Sequence, residues 1–279
     1  MRNWKFGVSS TDEAPESAPL LLKGNIVDNL QKAGELGYDA IEVHTREDIE
    51  LDYNEILNRM KETKVRIAQI VTGRLNTEAM CSLMDDRPYV TEAAMKGMYQ
   101  YIDMASALEA DIVVGWVKGN VPVGKAPEKY LSRLAGNLHK LNDYGKKKNV
   151  KINLEVINHY EVNVFTKCEQ LVDFLDKYKL DNCYVHLDTY HMNLEEDSFE
   201  KAIYIAGDKL GYFHIADNQR WYPGSGQIDF SAIFQALEKI NYGGYITVEC
   251  FCHGDGVYTA RKAIEYLKRI TQNITKISS

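Results

Sequence analysis

Short apolar runs rich in β-branched and aromatic residues recur along the chain, each bounded by turn residues and too far apart to pair as hairpins. There are eight: WKFGVS (4–9), DAIEVHT (39–45), VRIAQIVT (65–72), DIVVGWV (111–117), KINLEVI (151–157), CYVHLDT (183–189), GYFHIAD (211–217) and YITVECF (245–251). Between them lie segments whose apolar residues follow a helical period, such as NIVDNLQKAGELG, YNEILNRMKETK, TEAAMKGMYQYIDMASALEA, EKYLSRLAGNLHKLNDYGKKKN and TKCEQLVDFLDKYK. Three of the helical segments are expected to end on a glycine just before the next strand, as in AGELGYDAIEV, where a left-handed cap is wanted. No strand is followed by G-x-G-x-x-G or a P-loop, which would favour an open doubly wound sheet. The pattern therefore predicts an α/β chain folded as a single (β/α)8 TIM barrel with a parallel eight-stranded core, one domain over 1–279.

Length and composition fit that prediction. A chain of 279 residues is close to the roughly 250 of such barrels. With 45% apolar and 26% charged residues it can bury a large core without disulfides. The five cysteines are odd in number and scattered, and no export segment is read at the start, so they are expected to be reduced. Cys250 and Cys252, flanking Phe251, are read as strand packing rather than zinc ligands. A net charge of −7 excludes a nucleic-acid partner, which needs a basic face. The lysines 146–148 close a helix, where cations suit the dipole. No apolar run approaches the ~18 residues that span a bilayer, so a cytoplasmic protein with no membrane partner is expected.

In such barrels the chemistry sits at the C-terminal ends of the strands. Four polar residues interrupt apolar runs there on successive strands: Glu155 on the fifth, Asp188 on the sixth, His214 on the seventh and Glu249 on the eighth. An ionised carboxylate in apolar surroundings is costly unless paired or bound to a cation. Three of them with one imidazole on a common rim call for a divalent metal. Oxygen-rich ligation without thiolate suits Mn²⁺, Mg²⁺ or Co²⁺, manganese first, better than structural zinc. His186 should share the face of Asp188 but lie deeper, orienting a ligand by hydrogen bonding. The strand aromatics Trp4, Phe6, Trp116 and Phe251 are read as core, although each could form an apolar wall of the site.

At these residues the chain resembles a known family. LEVINHYE (154–161), HLDTYHMNLEE (186–196), FHIADNQR (213–220), PGSGQID (223–229) and TVECF (247–251) are similar to blocks of the xylose-isomerase-like barrels, most of all the ketose 3-epimerases of the D-tagatose and D-allulose type. The resemblance implies that Glu155 and Glu249 bind the metal and also transfer protons. It implies that Asp188 and His214 complete the metal set, and that Glu161, His191 and Arg220 hold the substrate. The chain departs from the family in lacking Pro after Glu155 and in having His159 where Arg is common.

The activity so implied is isomerase chemistry, epimerisation of a free ketose at C3 through an enediolate, with two glutamates as acid and base. The related enzymes imply a dimer or tetramer. An aldose-ketose isomerase or an inosose dehydratase on the same scaffold would begin with the same carbon acidity, and a non-catalytic sugar-binding barrel is a further alternative. A DNA-cleaving barrel would need more histidines than seven and a basic face. Glycine pairs after strand seven (Gly224, Gly226) and strand eight (Gly254, Gly256) could cradle a phosphate, but Asp255 is a poor neighbour for a dianion, and an unphosphorylated sugar is expected.

Overall fold

The computed structural model describes residues 4–277. Eight parallel strands form the barrel: β1 Lys5–Thr11, β2 Ala40–His44, β3 Arg66–Val71, β4 Asp111–Val114, β5 Ile152–Glu155, β6 Cys183–Asp188, β7 Leu210–Ile215 and β8 Tyr245–Val248. Each pairs with the next, and the ring closes through β1 and β8, with Phe6 opposite Ile246 and Val8 opposite Val248. A two-residue strand, Leu22–Lys23, adds to the rim of β1 outside the ring. The long helices are α1 Ile26–Leu36, α2 Tyr53–Thr63, α3 Pro88–Ala107, α4 Pro127–Lys148, α5 Cys168–Tyr178, α6 Phe199–Ala206, α7 Phe230–Lys239 and α8 Gly256–Ile277. The predicted barrel is the observed one. Among the described residues, no helix is long and apolar enough to cross a membrane.

The two-residue period of the strands sorts side chains between two cores. Ile41 and Val43, Leu154, Leu187, Phe213, and Ile246 and Val248 face outward under the helices and belong to the main apolar core. Ala40, Ala68, Val113 and Tyr212 form a separate apolar group within the barrel. Above it the inward positions turn polar: Glu42 on β2, His186 and Asp188 on β6, and His214 on β7 are all buried. Burying so much polarity is unfavourable for a core, and it marks the end of the barrel at which function is built.

Helix ends follow local chemistry. Asn25 caps α1 by accepting from the Asp28 N–H at 2.8 Å, and Gly37 closes it in the left-handed region at φ 84°. Other helices reach the same cap without glycine. Lys64, Asn149 and Lys179 take the same left-handed cap after α2, α4 and α5, so the backbone requirement is met there at the steric cost of a Cβ. Strand β4 is also shorter than the run 111–117 suggests. It stops at Val114, and Trp116–Lys118 forms a 3₁₀ turn.

Candidate active site

The strand register sets the site. Asp188 lies directly across from His214 on the neighbouring strand, and Glu155 across from His186. Glu249 follows the last residue of β8 rather than lying within it. At the rim, His214 Nδ1 is 3.5 Å from Glu249 Oε2 and 4.0 Å from Asp188 Oδ2. These three residues offer ligand atoms within 4.8 Å of one another, and Glu155, Asp188 and His191 form a second such set that shares Asp188. Donor atoms bound to one hard cation at ~2.1 Å stand roughly 3–4 Å apart, which matches this spacing.

The donors also fit a cation by what they lack. Asp188 Oδ2 and His214 Nδ1 are buried without a hydrogen-bond partner, an expensive arrangement unless an ion takes them up. The other nitrogen of His214 is occupied: Nε2 lies 2.7 Å from Glu42 Oε2. With Glu42 accepting the Nε2 proton, Nδ1 is the nitrogen that faces the carboxylates, the one a metal would take in place of a proton. Glu42 thus does what the sequence assigned to His186. The His186 ring packs edge-on against His214 with centroids 4.2 Å apart, and both its nitrogens lack hydrogen bonds. Glu42 was detectable, because it interrupts the apolar run AIEVH in the same way that Asp188 interrupts its own.

Electrostatics separates the two glutamates. Burial, and then the charge of Glu249, push the Glu155 carboxyl up to about 8. Burial would raise Glu249 as well, but His214 and Arg220 outweigh it and hold Glu249 well below the usual range. His214 is pulled the other way, since Glu42 and Glu249 overcome the effect of burial and raise its proton affinity. The protein alone therefore holds one carboxyl as an acid and the other as a base, the division that acid–base pairs use.

The three residues assigned to substrate surround this cluster. Arg220 Nη2 reaches Glu249 Oε2 at 2.6 Å, and its guanidinium lies over the Tyr190 ring, 4.8 Å from the centroid. Its backbone is left-handed at φ 57° and is tied on both sides, its N–H donating to Asp217 O and its carbonyl accepting from the Phe251 N–H, both at 2.8 Å. Asn158 Nδ2 donates to Glu161 Oε1 at 2.9 Å and to His191 Nδ1 at 2.7 Å. With Nδ1 accepting, His191 carries its proton on Nε2, which points at Glu155 and Asp188 from 3.6 and 3.7 Å. Burial, and after it the Arg220 charge, keep this imidazole neutral. Glu161 Oε2 accepts from the Trp116 indole at 3.1 Å.

The turn after β4 was missed as a functional element. A Cβ on Gly115 would stand 2.8 Å from Glu155 Oε2, so a larger residue there would displace the glutamate carboxylate. Lys118 ends the turn fully buried, its Nζ donating to Gly115 O at 3.1 Å. The sequence carried no sign of that burial, since Lys118 directly follows a run read as strand. Of the four aromatics read as core, Trp4 and Phe6 pack edge-on against Phe234. Trp116 and Phe251 instead line the cavity above the cluster.

The first glycine pair is committed elsewhere. Asp217 Oδ2 accepts from the N–H groups of Gly224 and Gly226 at 3.0 and 2.7 Å. Asp255 accepts from the Tyr258 N–H in the first turn of α8 at 2.7 Å. The Gly224 and Gly226 N–H groups are therefore not left for a phosphate. The five cysteines are free thiols, and Cys252 Sγ donates to Leu20 O.

A family model described as a xylose isomerase-like TIM barrel matches residues 30–270. The L-ribulose 3-epimerase of Methylomonas sp. (strain DH-1) is 32% identical over 222 residues, 78% of this chain and 76% of the relative. The D-psicose 3-epimerase of Enterocloster bolteae is 28% identical over 228 residues, covering 80% and 75%. Among solved structures, D-allulose 3-epimerase from Methylomonas sp. in complex with D-allulose superposes with a TM-score of 0.81 at 27% identity, over 95% of this chain and 96% of that one.

Proposed function

The chain belongs to the xylose isomerase-like TIM-barrel family, with ketose 3-epimerases among its relatives, and on that premise we propose that it epimerises an unphosphorylated ketose at C3. The observation that carries the reading is the buried rim cluster, in which Asp188 Oδ2 and His214 Nδ1 face each other with no hydrogen-bond partner. Glu155, Asp188, His214 and Glu249 would hold one divalent ion, manganese in the first place, with cobalt and magnesium as substitutes. When bound, the ion supplies Lewis-acid stabilisation of the negative charge that develops on an enediolate.

The residues supply the rest. Glu155 and Glu249 come from β5 and β8 and take opposite sides of the substrate. One removes the C3 proton as a carboxylate, and the other, as a carboxylic acid, returns a proton to the opposite face; the reverse reaction exchanges the roles. The Nε2–H of His191 and the Arg220 guanidinium donate to O1 and O2, and Glu161 accepts from the O1 hydroxyl. Occupation of the glycine N–H groups by Asp217 supports a substrate without phosphate. The same reading takes the whole chain as one catalytic domain, working in the cytosol as a dimer or tetramer.

The test is proton exchange. Metal-stripped protein is given Mn²⁺ and a panel of ketoses in D₂O, with Glu155→Gln and Glu249→Gln alongside. Deuterium is expected at C3 together with the C3 epimer, and each substitution should lower the epimerisation rate by roughly 10²–10⁴-fold. Exchange at C1 or C2 with aldose formation would replace the reading with an aldose-ketose isomerase. Elimination of water from a cyclic ketone would replace it with a dehydratase.

A further inference from the structure

The cavity above the cluster is larger than a monosaccharide requires. Its volume is about 450 Å³, whereas a ketohexose displaces on the order of six waters, roughly 180 Å³ at ~30 Å³ each. The inner end carries Glu155, His191, Arg220 and Glu249. The outer end is a second compartment, formed by the segment 13–20 that follows β1 and by Arg74, Thr77 and Glu78 beyond β3.

Trp116 joins the two ends. Its indole N–H is fixed on Glu161, and its six-membered ring runs outward beside Gly73, where an added Cβ would lie 3.9 Å from Cε3. The side chain remains 39% exposed. An aromatic ring held at one edge with a free face suits the C–H face of a sugar ring.

The charges of the outer compartment select against an anion. Arg74 is already taken by Asp12 Oδ1 at 2.5 Å, and Arg46 by Glu78 at 2.6 Å and Glu13 at 3.1 Å. The outer lining itself carries one cation, Arg74, against the carboxylates of Glu13 and Glu78, with Arg46 and Asp12 paired to these same residues, which leaves no positive surplus for a phosphate or a sugar acid. These groups do offer a mixed set of donors and acceptors for hydroxyl groups, beside the small apolar wall of Ala14, Ala18 and Pro19.

We infer that the outer compartment is a subsite for a second, uncharged sugar unit, so that the preferred substrate is a ketose glycosylated at its distal end. The inference rests on the epimerase reading and refines its substrate class: the ketose occupies the inner end, and the attached ring lies on Trp116.

The experiment compares a free ketohexose with its 6-O-glucosyl derivative, using D-fructose and 6-O-α-D-glucopyranosyl-D-fructose first and following C3 deuterium exchange with the manganese-loaded protein. Ala18→Trp fills the outer compartment, and Ser17→Tyr is a second filling variant if Ala18→Trp does not melt cooperatively. Wild-type kcat/KM is expected to favour the glucosylated ketose at least tenfold, mainly through KM, and either filling variant should erase the preference. Equal or better turnover of the free ketose, with a ratio unmoved by the variants, overturns the inference. If neither sugar exchanges, the epimerase reading fails, and calorimetric titration then decides the subsite. Binding of the disaccharide but not of fructose, lost in the variant, upholds the subsite; equal binding or none refutes it.

Discussion

Lys118 sets a conflict between stability and function in a single side chain. Burial pulls its ammonium down to about 8, against the opposing charges of Glu155 and Glu161. A lysine with a lowered folded-state pKa destabilises the fold. The penalty is complete below about 8 and is relieved as pH rises toward the unfolded value of about 10.5. Lys118→Met should therefore stabilise the protein at pH 7, by up to about 3 kcal/mol at ~1.4 kcal/mol per pKa unit. The gain should shrink to less than half by pH 9.5, as measured by urea unfolding. Turnover should fall in the same variant, because the turn that presses Gly115 against Glu155 loses its anchor. A less stable variant at pH 7 would refute this account. Residues of this kind separate what the sequence discloses from what it hides. Asp188 and His214 stand out because each interrupts an apolar run, and Glu42 could have been found by the same test. Lys118, directly after a run read as strand, looks like any solvated lysine until the fold encloses it.

At the level of elements, the strands and helices were legible from periodicity, because a buried strand and an amphipathic helix place apolar residues at different intervals. The connections were not, because no period marks which side chain gathers their N–H groups. The segment after β7 shows why. PGSG reads as a candidate phosphate cradle, yet Asp217 gathers the N–H groups of Asn218, Gly224, Gly226 and Ile228 at 2.7–3.2 Å. The segment is thereby folded around one carboxylate, and it carries Arg220 into the site in a strained left-handed conformation. Asp217→Ala leaves several half-buried donors unpaired, each worth about 1–3 kcal/mol if water cannot reach it. Partial hydration should limit the total loss to about 2–3 kcal/mol. Since Arg220 then loses its placement over Glu249, kcat/KM should fall about tenfold or more, chiefly through KM. A melting loss with unchanged KM would mean that the segment braces the fold but not the arginine.

For the molecule as a whole, the mouth of the barrel concentrates negative charge that the protein alone cannot neutralise. Burial raises Glu155 to about 8, with Glu249 adding to the effect. His214 is raised well above its usual value by Glu42 and Glu249 despite its burial. Groups with raised folded-state values contribute stability that is complete below their unfolded values, about 4.5 and 6.5, and lost as pH rises through the folded ones. His186 and His191, lowered by burial, act in the opposite sense, but only below about 6.5, where the unfolded imidazoles take up protons. Glu249, held well below the usual carboxylate range, adds nothing in this span. Between pH 6.5 and 8 the metal-free protein should therefore lose stability, because the folded Glu155 and His214 hold protons that their unfolded counterparts have released. A cation competes with the proton on Glu155, which is held up to about 8, so Mn²⁺ should raise the melting temperature more at pH 8 than at pH 6.5. At a hundredfold excess over Kd the ion contributes about 2.7 kcal/mol, or roughly 5–10 °C for a chain of this size. Thermal melts of chelator-treated protein with and without Mn²⁺ at the two pH values measure it. A melting temperature indifferent to metal at pH 8 would mean that the carboxylates neutralise one another by sharing protons, and the rim cluster would then be no metal site.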